Sequence, residues 1–200
     1  MVFNDNDKIL EAGCGDGSIV FQLLQNFNVN CTGLDFSKTA QETTKEEMHR
    51  KEVYFQYDLG DVHRFPYADN SFDKIISLGV IEHFPDNEII MREMKRVLKQ
   101  DGEVLLMTPN KFSMGRIDRL FKQLIHKWNF GYQTEYSVKE LADLCERTGF
   151  VVDKMFVDLR LSKKFDSTSF KIISTVDQFF NIFSKHVGFY SYVVLKKGSR

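Results

Sequence analysis

Apolar residues in this chain come in short runs separated by longer amphipathic stretches. Lys8–Ala12 (KILEA) is a brief apolar run stopped by Gly13 and predicts a strand. Asp16–Phe27 carries Ile19, Val20, Leu23, Leu24 and Phe27 on one helical face. Asn30–Leu34 predicts a second strand, ending at Asp35, and Ser37 is the expected N-cap of a polar helix reaching Arg50. Glu52–Tyr57 alternates as a strand does, and Asp58–Ser71 reads as loop. Phe72–Leu78 is an apolar strand and Asp86–Lys99 a helix. Gln100-Asp101-Gly102 then predicts a turn into strand Glu103–Thr108.

The rhythm changes after Pro109. Lys111–Lys127 is a basic amphipathic stretch. Ser137 with Glu140 three residues on predicts a capping box, for a helix ending at Gly149. Phe150–Leu159 is strand-like, and Ser169–Val187 spaces Ile173, Val176, Phe180, Phe183 and Val187 as a helix would. Phe189–Lys196 is the last expected strand. Alternating strands and helices imply an α/β fold, a mainly parallel sheet covered by helices on both faces. Ligands in such sheets sit outside the carboxyl ends of the strands. The loops after Ala12, Leu34, Tyr57, Leu78 and Thr108 are therefore the ones to inspect.

Composition narrows the class. Two hundred residues suit one domain, and 27 Lys and Arg against 28 Asp and Glu give a net charge of -1. That balance excludes a basic nucleic-acid tail and a highly charged disordered chain. Cys14, Cys31 and Cys145 are scattered, without the spacing of a zinc site or a disulfide framework, so a reducing cytoplasm is the expected compartment. The first residues lack the pattern of a signal segment, and no apolar run is long enough for a membrane span. The near-neutral total hides a split. Residues 1–110 hold 11 basic and 19 acidic side chains, and residues 111–200 hold 16 and 9. The basic part includes Lys111, Arg116, Arg119, Lys122 and Lys127, then Arg160, Lys163 and Lys164, with 11 of the 19 Phe. A basic, aromatic cap suits an anionic, hydrophobic acceptor or peripheral contact with an anionic membrane.

The strongest local signal is Glu11-Ala-Gly13-Cys14-Gly15-Asp16-Gly17 between a strand and a helix. Dinucleotides and S-adenosylmethionine both use such a loop, with an acid about 20 residues on for the ribose hydroxyls. Asp35 has that spacing from Gly15, so spacing does not separate them. Local chemistry favours the sulfonium cofactor. Gly17 falls one residue early for the dinucleotide pattern, and Asp16 puts negative charge where a diphosphate would lie. Glu11 adds a carboxylate suited to the cationic methionyl amine. Asp58 ends a strand, where it can accept the adenine amine while the Leu59 N–H donates to the ring, and Phe36 can cover the adenine face.

At these residues the chain resembles the class I S-adenosylmethionine-dependent methyltransferases, especially the ubiquinone-biosynthesis-like, small-molecule branch. The likeness lies in ILEAGCGDGS (9–18), CTGLDFS (31–37), DLGDVHRFPYADNSFDKIIS (58–77), GVIEHFPD (79–86), MKRVLKQDGEVLLMTPN (94–110) and EYSVKELADLCERTGF (135–150). The resemblance implies a Rossmann-like sheet of seven strands whose last strand is antiparallel, with a small helical cap. It implies cofactor contacts from Glu11, Gly13, Cys14, Gly15, Asp35, Phe36, Asp58 and Leu59, with Leu78 nearby. Two departures stand out. Family members usually place helices before the first strand, whereas here that strand is expected by about Lys8, which suggests a fragment or a pocket left open. Gln100-Asp101 stands where the family usually has Pro-Gly.

The expected organisation is a cofactor-binding core over 1–110, a cap insertion over 111–136, and residues 137–200 completing the sheet, with a second cap segment at about 160–187. Methyl transfer is an in-line displacement, so alignment supplies much of the rate, and a base is needed only for a poorly ionised nucleophile. His83 is the candidate base, with Glu82 beside it to orient it or to meet the cofactor. No metal cluster is expected. An Asn-Pro-Pro-Tyr-like segment is missing after the fourth strand, which favours an oxygen or carbon nucleophile on a small molecule. The competing readings are a non-catalytic cofactor-binding subunit, an RNA methyltransferase and an NAD-dependent oxidoreductase. Nucleic acid is the disfavoured partner, and the oligomeric state is left open.

Overall fold

A computed structural model describes residues 1–128, 131–158, 175, 177, 178, 181, 184 and 186–198. The strands are β1 (Lys8–Ala12), β2 (Asn30–Asp35), β3 (Gln56–Leu59), β4 (Phe72–Leu78), β5 (Leu98–Pro109), β6 (Phe150–Asp158) and β7 (Tyr190–Lys197). The helices are α1 (Ser18–Asn26), α2 (Lys38–Lys51), α3 (Asn87–Val97), α4 (Met114–Leu124) and α5 (Val138–Arg147). The strands form one seven-stranded sheet in the order β3-β2-β1-β4-β5-β7-β6. β1 to β5 pair in parallel, and β7 runs antiparallel to both β5 and β6.

The period-2 alternation of strand side chains decides which face each helix covers. Leu10, Ile75, Val104 and Leu106 point to one face and pack under α3 and α5, against Ile90, Met91, Met94, Leu141 and Cys145. Their neighbours Ile9, Ile76 and Leu105 point to the other face, where Val20 and Leu23 of α1 cover them. Both faces are thus filled, as the continuous apolar strands require. β1 lies between β2 and β4, so connections leave it on opposite sides and a crevice opens at the carboxyl ends of β1 and β4.

Local signals placed several boundaries well. Ser37 caps α2 by accepting the Ala40 N–H at 3.2 Å. Ser137 and Glu140 form the expected capping box, with Glu140 N–H to Ser137 Oγ at 3.2 Å and Ser137 N–H to Glu140 Oε2 at 2.9 Å. Replacing Ser137 by Ala is expected to cost about 1 kcal/mol of stability, read by chemical denaturation. Two expectations need correction. The third strand begins at Gln56, not Glu52, because Glu52 takes a left-handed conformation (φ 52°) and closes α2 through its N–H. Gln100-Asp101-Gly102 is not a turn ahead of a strand. It is an irregularity inside β5, where the pairing with β4 steps from Phe72 opposite Leu98 to Lys74 opposite Glu103. A Cβ on Gly102 would sit 2.8 Å from the Asp73 carbonyl, so only glycine lets the strands close again. The helix expected over Ser169–Val187 lies mostly outside the described residues. Within it, Asp177 accepts from Ser113 Oγ at 2.6 Å and from the Met114 N–H at 2.8 Å, at the start of α4.

Candidate functional site

The glycine loop turns the chain back over the end of β2. The N–H groups of Gly13 and Cys14 both donate to the Leu34 carbonyl, at 2.8 and 3.0 Å. Gly13 has φ +79°, and a Cβ there would lie 2.3 Å from Val80 Cγ2, so glycine is demanded by conformation and by space. The Gly15 N–H donates to Asp35 Oδ2 at 2.8 Å, and the Ser37 N–H donates to Oδ1 at 2.9 Å. One buried carboxylate therefore ties the loop after β1 to the loop after β2. The Tyr57 hydroxyl donates to the Gly15 carbonyl at 2.9 Å and supports the loop from β3.

A cavity of about 440 Å³ opens at these strand ends. Gly13 follows β1 in its wall, Asp35 ends β2 and Phe36 follows it, and Gly79 and Val80 follow β4. Val62, His83, Phe84 and Tyr132 complete it. Gly13, Asp35, Phe36 and His83 are thus the sequence-predicted residues that meet around one space. Phe36 is 78% exposed and stands at the rim, available to cover a planar ligand. Asp58 and Leu59 lie beside the cavity, opposite Leu34 and Asp35 in the β2–β3 register. The Tyr67 hydroxyl and Gln56 Nε2 both donate to Asp58 Oδ2, at 2.9 and 2.8 Å, which holds that carboxylate in place. Leu78 ends β4 just before Gly79. The Cys14 side chain points the other way, into a cluster with Phe21, Met48 and Tyr57, and burial raises its pKa far above the ordinary value.

Two carboxylates are buried without full hydrogen bonding. Glu11 Oε2 has no partner, and burial pushes the Glu11 pKa up to about 8, helped by the negative charges of Asp16 and Asp35. Glu82 sits in the 3-10 turn Ile81–His83 after β4. Its Oε2 is also unpartnered, and burial, with Glu135 nearby, likewise raises its pKa to about 8. A native structure rarely leaves such atoms unsatisfied, so each marks a place built for something more than packing.

His83 joins this cavity to a second one of about 390 Å³. Its Nδ1 lies 3.0 Å from the Tyr132 carbonyl. A carbonyl only accepts, so Nδ1 carries the hydrogen and Nε2 is left as the acceptor nitrogen. The second cavity is walled by α4 through Arg116 and Arg119, by the strand ends at Pro109 and Tyr190, and by Trp128 and Glu135. Arg119 forks onto Glu135, with Nη2 2.6 Å from Oε2 and Nε bonded to Oε1. Arg116 Nε is buried without a hydrogen-bond partner. Sequence reasoning missed Val62, Val80, Tyr132, Glu135 and Tyr190. Each lies many residues from the glycine loop and carries no local signal for a site.

The donor set suits a nucleoside carrying a cationic amine. Asp35 offers lone pairs beyond its two N–H bonds for ribose hydroxyls, and Glu11 is a buried acid at the end of β1, with one oxygen unpartnered, that a bound cation would hold ionised. Among the described residues no Lys or Arg lines the first cavity. Among the described residues no group of three or more His, Cys, Asp or Glu side chains could hold a metal ion.

Comparison with known proteins gives the same answer. The chain is 29% identical over 150 residues to phosphoethanolamine N-methyltransferase 2 of Caenorhabditis elegans, covering 74% of this chain and 33% of that protein. It is 31% identical over 105 residues to ajmaline N-methyltransferase of Rauvolfia serpentina, covering 50% of this chain and 35% of the relative. The chain thus spans about a third of the length of these curated relatives. Its fold is that of phosphoethanolamine N-methyltransferase 2 of Haemonchus contortus, solved with phosphomonomethylethanolamine and S-adenosylhomocysteine. The TM-score is 0.71 at 18% identity, covering 99% of this chain and 51% of the other. The family profile described as a methyltransferase domain matches residues 3–173. With that match over most of the chain, and the glycine loop and strand-end acids arranged as above, the chain belongs to the class I S-adenosylmethionine-dependent methyltransferase family.

Proposed function

We propose that this chain transfers the methyl group of S-adenosylmethionine to a small organic acceptor held in the second cavity. The observation that carries this reading is the meeting of the two cavities at His83, one lined by the glycine loop and Asp35 and the other by α4 and Tyr190. When bound, the cofactor supplies an activated methyl group on a sulfonium. Asp35 would accept from the ribose hydroxyls, Glu11 would face the amine directly or through water, and Asp58 with the Leu59 N–H would meet the adenine edge. Phe36 would lie over the ring. Cys14 would act through its backbone alone, and Leu78 would shape the floor beside Gly79. His83, with Nδ1 held by the Tyr132 carbonyl, would take the acceptor's proton at Nε2. Residues 1–110 would form the cofactor-binding core, with 111–136 as the cap over the acceptor and 137–200 completing the sheet.

The missing Asn-Pro-Pro-Tyr-like segment supports an oxygen or carbon nucleophile, and the basic lining supports an anionic group on the acceptor. A nitrogen acceptor is the second reading. Two relatives are named N-methyltransferases, and the unpartnered Glu82 carboxyl next to His83 would pair with a cationic amine by giving up its proton. Incubation of the chain with methyl-labelled cofactor and a metabolite extract, followed by mass identification of labelled products, tests the reading and names the acceptor atom. No labelled small molecule from a folded, S-adenosylhomocysteine-binding chain would leave only a non-catalytic subunit. Replacing His83 by Asn is expected to slow transfer about a hundredfold for an acceptor that must lose a proton. Affinity for S-adenosylhomocysteine should be unchanged by that substitution.

A further inference from the structure

The imidazole of His63 joins two loops that no strand pairing connects. His63 lies in the loop after β3, and the sheet order places β2 and β1 between β3 and β4. Its Nδ1 is 2.6 Å from Asp61 Oδ1, within the same loop. Its Nε2 is 3.2 Å from Asp86 Oδ1, in the residue that precedes α3. An ionised carboxylate accepts hydrogen bonds and cannot donate one. Both ring nitrogens therefore carry a hydrogen, and the full bridge exists only for the imidazolium. A neutral ring has a single N–H and must give up one of the two partners.

The two loops so joined form one side of the first cavity. Val62 lines it, and so does Phe84. The Phe84 ring stands edge-on to the imidazole, with 4.7 Å between centroids and 85° between planes. His63 does not line the cavity itself. It is the chain neighbour of one wall residue and packs against the other, so it acts through them, as a positioning residue.

We infer that the doubly bonded His63 imidazolium is a latch that holds Val62 and Phe84 at the spacing the cofactor needs, and so makes cofactor affinity depend on pH. The inference rests on the cofactor occupying the first cavity, as proposed above. Among the described residues the charged groups against His63 are Asp61 on its own loop and Asp86 ahead of α3. Burial alone would lower the His63 pKa, and the bonds to Asp61 and Asp86 outweigh it and raise the value above 6.5. The latch is therefore closed below the raised pKa and opens as pH climbs through it. The Asp61 and Asp86 side chains are 68% and 54% exposed, so solvent screens both bonds and the effect is severalfold. Glu11, Asp35 and His83 are further titratable groups around this cavity, and a His63 variant retains all of them.

The test titrates the full chain and its His63→Gln variant with S-adenosylhomocysteine in a calorimeter, at several pH values from about 5.5 to about 8.5. Glutamine keeps one N–H donor and no charge, as a neutral imidazole does. At the acid end wild type is expected to bind about fivefold more tightly than His63→Gln, and the two should converge at the alkaline end. The ratio of the two affinities cancels the titration of the groups they share. Linkage is reciprocal, so saturating S-adenosylhomocysteine should raise the proton affinity of His63 by the same factor, read from its ring protons by NMR. This second arm needs no substitution, and a residue that merely supports the fold would not respond to the ligand. Asp86→Ala should lower the His63 pKa, and its side chain caps no N–H of α3. A ratio that stays constant across the range overturns the inference, as does a His63 titration that the bound ligand leaves unmoved. A folded wild type that binds no S-adenosylhomocysteine at any pH would instead remove the cofactor from this cavity, and the inference with it.

Discussion

Replacing Asp35 by Ala is expected to lower the affinity for S-adenosylhomocysteine by about a hundredfold or more. The size of the effect follows from what this carboxylate does before any ligand arrives. Its two oxygens accept the N–H groups of Gly15 and Ser37 at 2.8 and 2.9 Å, in a position only 8% exposed. Removing it leaves two donors without their acceptor, at about 1–3 kcal/mol each where no water replaces it. It also frees the glycine loop from the end of β2 and removes the expected acceptor for two ribose hydroxyls. The substitution Asp35→Asn retains one acceptor oxygen and should fall between wild type and Asp35→Ala. Calorimetric titration of all three proteins, with circular dichroism to confirm that each is folded, measures the effect. Wild-type affinity in a folded Asp35→Ala protein would remove the ribose from this end of β2.

Stability of the ligand-free chain should fall as the solution is taken from about pH 4.5 to about pH 8. Glu11 and Glu82 both hold their protons up to about 8 in the folded chain, against an ordinary value of 4.5. An acid whose pKa is raised by folding binds protons more tightly in the native state. Its contribution is therefore fully present below 4.5 and is lost as pH climbs through 8. Each group contributes a slope of at most about 1.4 kcal/mol per pH unit inside that window, so the two together give about 3 kcal/mol per pH unit. His63 acts in the same direction. Its bonds to Asp61 and Asp86, at 2.6 and 3.2 Å, raise its pKa against the opposing effect of burial, so its stabilisation also fades as pH rises through that value. Acids with lowered pKa values, such as Glu93 beside Arg96 and Glu140 beside Lys111, lose their contribution only as pH falls below the ordinary carboxylate range.

Thermal denaturation of wild type, Glu11→Gln and Glu82→Gln between about pH 5 and pH 8 measures this slope. Each amide should flatten it and should raise the melting temperature at the alkaline end. Glu11→Gln should at the same time weaken S-adenosylhomocysteine binding, because the carboxyl group that the amine would ionise on binding is gone. Gain in apo stability with loss of ligand affinity is the signature of a group held ready for a ligand. A wild-type melting temperature that stays level or rises over this range would mean that neither carboxylate is held protonated.

Much of the fold and part of the site are legible in the sequence, and the division has a physical cause. β1 and β4 could be bounded to the residue because each is a short apolar run ended by glycine. The Ser37 and Ser137 caps are equally local, since a capping hydrogen bond spans only a few residues. The glycine loop and Asp35 could be paired because chain order places both at the ends of neighbouring strands. β3 was misplaced where Glu52 adopts a left-handed turn that its residue type does not announce, and β5 where an irregularity resembles a turn.

The second cavity shows the opposite case. Its walls come from α4, from Glu135 and from Tyr190, which meet only through packing across the carboxyl end of β5 and the amino end of β7. Glu82 was legible only as a neighbour of His83 and Glu135 not at all, and the unpartnered state of Glu82 exists only once the surrounding elements exclude water. α4 marks the boundary most clearly. The sequence by itself determined that 111–127 is a basic helix with one apolar face. Only the tertiary structure decided which face turns inward, because the ion pair between Arg119 and Glu135 anchors the polar side and leaves Phe121 and Leu124 in solvent.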